Sequence, residues 1–354
     1  MTLTEKLILT ALKFRAVKLW DKLDDKMIFG VMLPDGDTMY CCVMGNAGEH
    51  YALGTYKGAK GFATYLKTLT LGGLDTLEQF ETTMAFDCIN VEYVNADDRN
   101  LSTELKAEIK EVVKDNGLKM NRPNGWPTFV KMQYATHTFS LDVENDIINV
   151  TAALEGALEV ASKVKGLNWI ELDKLGFQVE DLYPSDKGGM KIPLLIRNDD
   201  GTYTWSTTVT PPLYETPVYP VIFSDTSLAS ALKKIKHAGT LQVKALHTPA
   251  PVGNRDCMIF PLMMLCIDKN TGKAFPVMNI NDDSDTRLGL INSFASLLFE
   301  SKNIPATIEV FDQNTQTALA DFCKKTGIML VRGKDSDMID NACEQLFYYM
   351  RNLM

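Results

Sequence analysis

Three aspartates in the last third of the chain stand at the ends of predicted elements, and together they could bind divalent cations. Asp268 closes an apolar run at residues 258–268, Asp312 closes a run at residues 304–312, and Asp340 lies in the last helical segment. Carboxylates hold Mg²⁺ and Mn²⁺, and a pair of such ions activates water and stabilises a leaving oxygen. One hypothesis is therefore a divalent-metal-dependent phosphodiesterase or nuclease in the C-terminal unit, with Mg²⁺ or Mn²⁺ as its cofactor.

These aspartates also have ordinary structural explanations. Asp268 opens the sequence Asp-Lys-Asn-Thr-Gly, in which the first side chain typically accepts hydrogen bonds from the backbone of the turn. Asp340 falls near the start of a helix, where the helix dipole favours negative charge. Asp335 or Ser336 can cap that helix. These explanations favour a protein without an intact catalytic set.

Other metal-ligating residue types do not show the spacing of a metal site. Residues 281–285 (Asn-Asp-Asp-Ser-Asp) lack the glycine and the late glutamate of a calcium loop, so we interpret them as a helix cap. The seven cysteines contain no C-x-x-C pair and the four histidines are scattered, which argues against a zinc site. We expect reduced, structural thiols in a cytoplasmic protein.

The stretch VMGNAGEHYALGTYKGAKGF at residues 43–62 has the closely spaced glycines of a phosphate-binding loop. Such a loop needs a strand before the glycines and a helix after them. Gly45 and Gly48 are instead followed by an extended segment, and neither the P-loop Lys-Ser/Thr nor the Rossmann spacing is present. We predict that these two glycines turn a β-hairpin. Gly61 leaves an alternative open, because it could start a helix whose N-terminus a ligand approaches.

The charge of the chain makes nucleic acid an unfavourable partner. The formal net charge is −9, whereas proteins that hold nucleic acid gain affinity through Lys and Arg. No apolar run approaches the roughly 18 residues of a membrane span. The N-terminus lacks the apolar core of a signal peptide, and Thr2 with Glu5 matches a capping box at the start of a helix.

The element order predicts a mixed α/β protein in which one pattern occurs twice. Residues 1–166 form an N-terminal helix followed by β-β-β-α-β-α-β-α, and residues 238–354 repeat that order. Residues 167–237 are rich in Pro and Gly and contain a hairpin and a short helix, which is typical of a connector. The internal duplication rests on element order, since sequence identity between the halves is negligible.

The repeated order is similar to that of the ribonuclease-H-like fold, in which an antiparallel meander continues into a parallel sheet flanked by helices. Nucleases of that fold carry acidic residues on the first strand, at the end of the fourth strand and on the last helix. In the second copy Asp312 and Asp340 match the last two places, whereas Asp268 falls in the hairpin between the second and third strands. The first strand of the N-terminal copy has no acidic residue, and the fold by itself implies no activity.

Two sequence patterns resemble an uncharacterised bacterial two-domain family. FGVMLPDG followed by GNAGEHYALGTYKGAKGF is similar to its N-terminal unit. The pattern P-x-x-I-E-V-F-D with A-L-x-x-F-C-K-K-T-G-I, after a D-K-N-T-G hairpin, is similar to the companion C-terminal domain. The resemblance implies a bacterial, cytoplasmic protein of two domains of unknown function. It implies no activity and no functional residues.

These observations predict a non-catalytic, two-lobed binding or assembly protein, and self-association is one form that assembly could take. Two alternatives stay open: the metal-dependent enzyme, and a small-molecule sensor with its pocket between the lobes. Aromatic residues of the connector favour either packing between the lobes or a surface for another protein. They are Tyr203, Trp205, Tyr214 and Tyr219.

Overall fold

The structure is a computed structural model that describes residues 2–48, 50–120, 123–177, 187–215, 217–254, 256–278 and 286–353. The chain forms two compact units, which are described separately. Unit 1 comprises Met1–Gly72, Ala85–Glu215 and Gly253–Met258, and unit 2 comprises Gly73–Met84, Thr216–Val252 and Ile259–Met354. Helices combined with mixed sheets confirm the predicted α/β class.

Helices and strands are interspersed along the described residues. The helices are α1 (Leu3–Val17), α2 (Gly58–Thr70), α3 (Leu77–Met84), α4 (Thr103–Asp115), α5 (Glu144–Val164), α6 (Trp169–Lys174), α7 (Thr226–Lys234), α8 (Thr286–Ser301), α9 (Gln313–Thr326) and α10 (Asp337–Arg351). The strands are β1 (Phe29–Met32), β2 (Thr38–Met44), β3 (Ala52–Lys57), β4 (Asp87–Val94), β5 (Trp126–Gln133), β6 (Thr136–Thr138), β7 (Lys191–Arg197), β8 (Tyr203–Val209), β9 (Thr240–His247), β10 (Val252–Gly253), β11 (Cys257–Ile259), β12 (Leu262–Asp268), β13 (Ala274–Met278), β14 (Thr307–Val310) and β15 (Met329–Arg332). Among these helices, none combines the length and the apolar composition that crossing a bilayer requires.

A ten-stranded sheet organises unit 1, with the order β10-β11-β6-β5-β4-β3-β2-β1-β7-β8. Strands β1 to β6 pair antiparallel with their neighbours in sequence. β7 joins β1 in parallel and then turns back into β8. The hairpin of β7 and β8, which sequence analysis assigns to the connector, therefore extends the sheet of unit 1.

In a ribonuclease-H-like unit the fourth strand extends the sheet in the parallel direction, and β4 does not. It pairs antiparallel with β3 on one side and with β5 on the other. In its second half buried Val91 and Tyr93 alternate with partly exposed Asn90 and Glu92. Such alternation is typical of an antiparallel strand with one face in the core, whereas parallel strands are continuous apolar runs. The strand order of unit 1 therefore differs from that of unit 2.

The glycine-rich stretch forms a hairpin and then a strand-to-helix junction, which confirms that it turns the chain. β2 and β3 pair antiparallel, and Gly45 and Gly48 between them have φ angles of +130° and +83°. Only glycine adopts such angles at low cost. α2 begins at Gly58, directly after β3. Within α2, Gly61 packs against the end of β3, and a Cβ at this position would lie 2.6 Å from the backbone carbonyl carbon of Tyr56.

Different helices cover the two faces of the unit 1 sheet. On one face α1 and α5 enclose a core that includes Phe14, Phe29 and Val150. On the other face α2 brings Phe62 and Tyr65 into a smaller cluster. α1 begins at the predicted capping box, in which the Thr2 hydroxyl accepts a hydrogen bond from the backbone N–H of Glu5. Both faces of the sheet are thus packed.

A five-stranded sheet organises unit 2, with the order β13-β12-β9-β14-β15. β9, β12 and β13 form an antiparallel meander. β14 and β15 extend it in parallel from the other side of β9, which is therefore the central strand. The core on one side of this sheet includes Val243, Cys266, Phe294, Ile308 and Phe322.

The short helix α3 belongs to unit 2, although it follows α2 in sequence. The ring of Phe80 lies 5.7 Å from that of Phe260 and 5.4 Å from that of Phe347. Oε2 of Glu81 lies 2.9 Å from Nδ1 of His247 at the end of β9. Apolar and polar contacts therefore both attach α3 to unit 2.

We predict that Gly61→Ala destabilises unit 1. Alanine is a better helix former than glycine by about 1 kcal/mol, so the change would stabilise α2 if space were available. The new Cβ would instead meet the backbone of Tyr56, which cannot move without shifting β3. We expect a net loss of about 1–3 kcal/mol in the free energy of unfolding, measured by urea denaturation.

Gly36→Ala serves as the control for this prediction. Gly36 has a φ of +86° and nothing within 4 Å of a built Cβ, so only its backbone angle opposes alanine. We expect a cost of about 1 kcal/mol there. A gain of stability in Gly61→Ala would contradict the close approach of α2 to β3.

Candidate functional site

Asp268 is a turn residue at the end of β12. Its Oδ1 accepts hydrogen bonds from the backbone N–H groups of Asn270 and Thr271, both at 2.9 Å. The bond from Thr271, followed by that from Asn270, holds the pKa of this carboxyl below its ordinary value. The side chain therefore closes the β12–β13 hairpin, as its sequence context predicts.

Asp312 caps helix α9. Its Oδ1 accepts the backbone N–H of Thr315 at 2.7 Å, and its Oδ2 accepts the Thr315 hydroxyl at 2.7 Å. Thr315 is buried, and its hydroxyl oxygen in turn accepts the backbone N–H of Ala245 on β9 at 3.1 Å. The cap therefore links the start of α9 to the central strand.

Asp340 lies in the first turn of α10 and forms an ion pair with Lys244 on β9. The Lys244 Nζ lies 2.6 Å from Asp340 Oδ1. The two side chains are 29% and 44% exposed, respectively, so the pair is only partly shielded from water. It nevertheless connects the last helix of unit 2 to the middle of the central strand.

The pair shifts both pKa values in the direction that keeps it charged. Burial would raise the pKa of Asp340, but hydrogen bonds from Lys244 and Ser336 and the nearby ammonium outweigh it, so the pKa is lowered. Burial would lower the pKa of Lys244, but the hydrogen bond to Asp340 and the charges around it, including that of Asp312, outweigh it. The pKa of Lys244 is therefore raised, and both groups are ionised at neutral pH.

The three predicted site residues do not meet at one place. Asp268 pairs with Leu241, which lies three residues before Lys244 on β9. Because a strand rises by about 3.4 Å per residue, these two positions are about 10 Å apart. Asp312 and Asp340 both act near Lys244, whereas Asp268 lies toward the other end of the strand.

No group of three or more His, Cys, Asp or Glu side chains among the described residues is placed to hold a metal ion. The predicted helix cap at residues 281–285 lies outside the described residues. The seven cysteines form no disulfide, and burial raises the pKa of six of them, from Cys41 to Cys343. Protonated thiols of this kind are poor metal ligands and poor nucleophiles.

Lys244 is the residue that sequence reasoning missed. In the run TLQVKALH, Gln242 and Lys244 are polar residues two positions apart in a central strand, so they lie on one face. Gln242 Nε2 donates to Glu309 Oε2 at 3.3 Å and to the Asp335 carbonyl oxygen at 3.4 Å. Polar residues at every second position of an otherwise apolar strand are the signal that could have found this face.

Comparison with known proteins finds two separate matches along the chain. Residues 5–176 match the family described as Domain of unknown function (DUF7309), and residues 227–347 match Domain of unknown function (DUF6930). The chain is thus similar to two families whose function is unknown. This confirms the two-domain resemblance, and the Lys244 site lies in the DUF6930 part. No curated protein and no solved structure matches the chain.

We predict that Asp312 acts through the cap of α9. Asp312→Ala removes the acceptor for the Thr315 N–H and should lower the free energy of unfolding by about 1 kcal/mol, within a range of about 0.5–2. Asp312→Asn keeps an acceptor at the same place and should stay close to wild type. Urea denaturation of the three proteins measures the difference, and equal losses in both variants would contradict a capping role.

We also predict that the Lys244–Asp340 coupling depends on pH. A double-mutant cycle with Lys244→Met and Asp340→Asn should give a coupling of about 1 kcal/mol at neutral pH, as for partly exposed pairs. The pKa of Asp340 is lowered from 3.8, so this stability is present above pH 3.8 and is lost as the pH falls through the folded value.

Stability measurements of the cycle at pH 7 and at a series of lower pH values, together with the folded pKa of Asp340 measured by NMR titration, make the comparison. The coupling should fall toward zero as the pH passes below that folded pKa, because a protonated carboxyl no longer attracts the ammonium. A coupling that is unchanged below the measured pKa would show that the two residues interact through packing and not through charge.

Proposed function

We propose that this protein is a non-catalytic binding or assembly protein, in which unit 2 has a ribonuclease-H-like arrangement with a lysine in place of the cation. The observation that carries the proposal is the distance of 2.6 Å between Lys244 Nζ and Asp340 Oδ1. The lysine of the central strand thus lies against a carboxylate that a metal enzyme would need.

The strand order of unit 2 supports the ribonuclease-H-like part of the proposal. Numbered within the five-stranded sheet, the order is 3-2-1-4-5, with strands 1 to 3 antiparallel and strands 1, 4 and 5 parallel. Asp312 follows strand 4 and Asp340 lies on the last helix, as in the nucleases of that fold. Strand 1 carries Lys244 where those nucleases carry an acidic residue. We limit the arrangement to unit 2, since the strand order of unit 1 differs.

Electrostatics supports the non-catalytic part. An ammonium beside Asp340 supplies the positive charge that the carboxylates require, and it cannot coordinate a metal. A divalent cation entering this place would have to displace Lys244 and would be repelled by it at about 4 Å or less. Asp312 offers little help to a metal, because both of its oxygens already accept hydrogen bonds from Thr315.

An exposed sheet edge supports assembly. β8 ends the large sheet and has no Lys, Arg or Pro among its residues Tyr203–Val209. Edge strands that stay unpaired usually carry such residues, because a bare edge pairs with another chain. Pairing of β8 with β8 of a second copy would give both edge strands a partner. The net charge of −9 makes nucleic acid an unfavourable partner. The seven unpaired cysteines are in keeping with a cytoplasmic location.

The proposal predicts that divalent cations do not stabilise the wild-type protein. Thermal melts with millimolar MgCl₂ or MnCl₂, and with EDTA, should coincide. Lys244→Asp puts a third carboxylate beside Asp312 and Asp340, and we expect the melting temperature of this variant to rise with the Mn²⁺ concentration. Lys244→Asn, which removes the ammonium without adding a charge, is the matched control, and Mn²⁺ should change its melting temperature little.

The metal-enzyme alternative makes the opposite prediction. It requires that Mn²⁺ stabilise the wild-type protein and that Asp312→Asn abolish the effect. That result would overturn the non-catalytic proposal. The sensor alternative requires a melting shift with a metabolite that a chelator does not change.

A further inference from the structure

A polar cleft of about 150 Å³ opens in unit 1 between the sheet and the first two turns of α5. Three strands and the helix contribute its polar lining. Among them are Thr55, Lys57, Asp87, Lys131, Asp146 and Asn149. All of them belong to unit 1, so the cleft lies within a single compact body.

Strand pairing forms the floor of this cleft. Thr55 on β3 pairs with Ile89 on β4, and Ile89 pairs with Lys131 on β5. Directly paired residues point to the same face of a sheet, so Thr55 and Lys131 face α5 together. The Thr55 hydroxyl donates to the Ile89 carbonyl oxygen at 2.6 Å, which leaves its oxygen available as an acceptor.

The cleft carries equal numbers of positive and negative groups. Lys57 and Lys131 contribute ammonium groups, and Asp87 and Asp146 contribute carboxylates. The Lys131 Nζ lies 2.7 Å from Asp146 Oδ2, Asp87 is held by Lys60 at 2.6 Å, and the Lys57 ammonium forms an ion pair with Asp35 outside the cleft. Each ammonium retains donors and each carboxylate retains lone pairs beyond these contacts. A ligand that carries both charges would therefore meet a complementary group at each end.

Asn149 is the unexplained group in the cleft. Its side chain is only 9% exposed, it lines the cleft, and it forms no hydrogen bond within the described part of the chain. On the same helix Val150 and Ala153 are fully buried in the core, so position 149 stands where an apolar residue would pack. A primary amide offers two donors and an acceptor. Those of Asn149 are open to the cleft, where a bound molecule or an ordered water can pair with them.

We propose that this cleft binds a small zwitterion of the α-amino-acid class. Its carboxylate would lie against the ammonium groups of Lys57 and Lys131, its ammonium against Asp87 and Asp146, and the Asn149 amide would bond to either end. The volume equals that of about five water molecules, which suits a molecule between glycine and serine in size. The proposal is independent of the function proposed for unit 2.

Titration calorimetry and thermal melts of the full chain with glycine, L-alanine and L-serine test the proposal. All three should raise the melting temperature of the wild-type protein at millimolar concentration. In Asn149→Ser and Asn149→Leu we expect the Kd to rise about five- to tenfold or more, because an amide hydrogen bond is lost. The exposed Asn145 lies on the same helix, and Asn145→Ser should bind like the wild type.

Acetate and ethylammonium each carry one half of the charge pattern and serve as ligand controls. Neither should reach one tenth of the affinity of L-alanine. Binding of acetate as tightly as L-alanine would overturn the zwitterion class. If none of the three amino acids shifts the melting temperature of the wild type, the cleft holds ordered water only and the site is overturned. Binding by both Asn149 variants that is as tight as that of the wild type would also overturn the site.

Discussion

The positive charge of Lys244 on the central strand is the group around which two acidic residues of unit 2, Asp340 and Asp312, are arranged. β9 has paired strands on both sides and α10 packed against it, so an ammonium there loses part of its hydration. Asp340 compensates for that loss, and in doing so it fixes the first turn of α10 on the sheet. Asp312 adds a second negative charge nearby while it caps α9. The acidic residues of this region thus have roles that charge balance and helix capping explain.

Unit 1 follows the same rule on two inner strands of its large sheet. Lys131 and Asp146 join β5 to α5, and Lys60 and Asp87 join α2 to β4, so each partly buried charge has an opposite charge within 3 Å. Asn149 is different because it has no such partner and lies deeper than any of them. Because the charged groups around it are paired, the Asn149 amide, which has no hydrogen-bond partner within the described residues, indicates where a ligand could bind.

Local signals in the sequence predict local structure well, and pairing between distant segments poorly. The Thr2 capping box, the Gly45–Gly48 turn and the Asp268 turn all depend on atoms within three or four residues, and the structure has each of them. The partner of β4 and the attachment of α3 depend on segments far away in sequence, which element order does not specify. Lys244 escaped prediction for the same reason, since Asp340 lies 96 residues away.

A carboxylate indicates a metal site only after its contacts with the protein have been counted. Asp268 accepts hydrogen bonds from the backbone of its own turn, and Asp312 accepts them from the first turn of α9. Asp340 forms an ion pair with Lys244. Each has an opposing or donating group already in place, so its position in the structure has an explanation that does not involve a cation. Asn149 differs from these carboxylates, because its amide has no hydrogen bond within the described residues that a ligand would replace. A polar molecule that enters the cleft can therefore add hydrogen bonds to it. The group with unused hydrogen-bonding capacity is therefore a better guide to a ligand than the groups with the most charge.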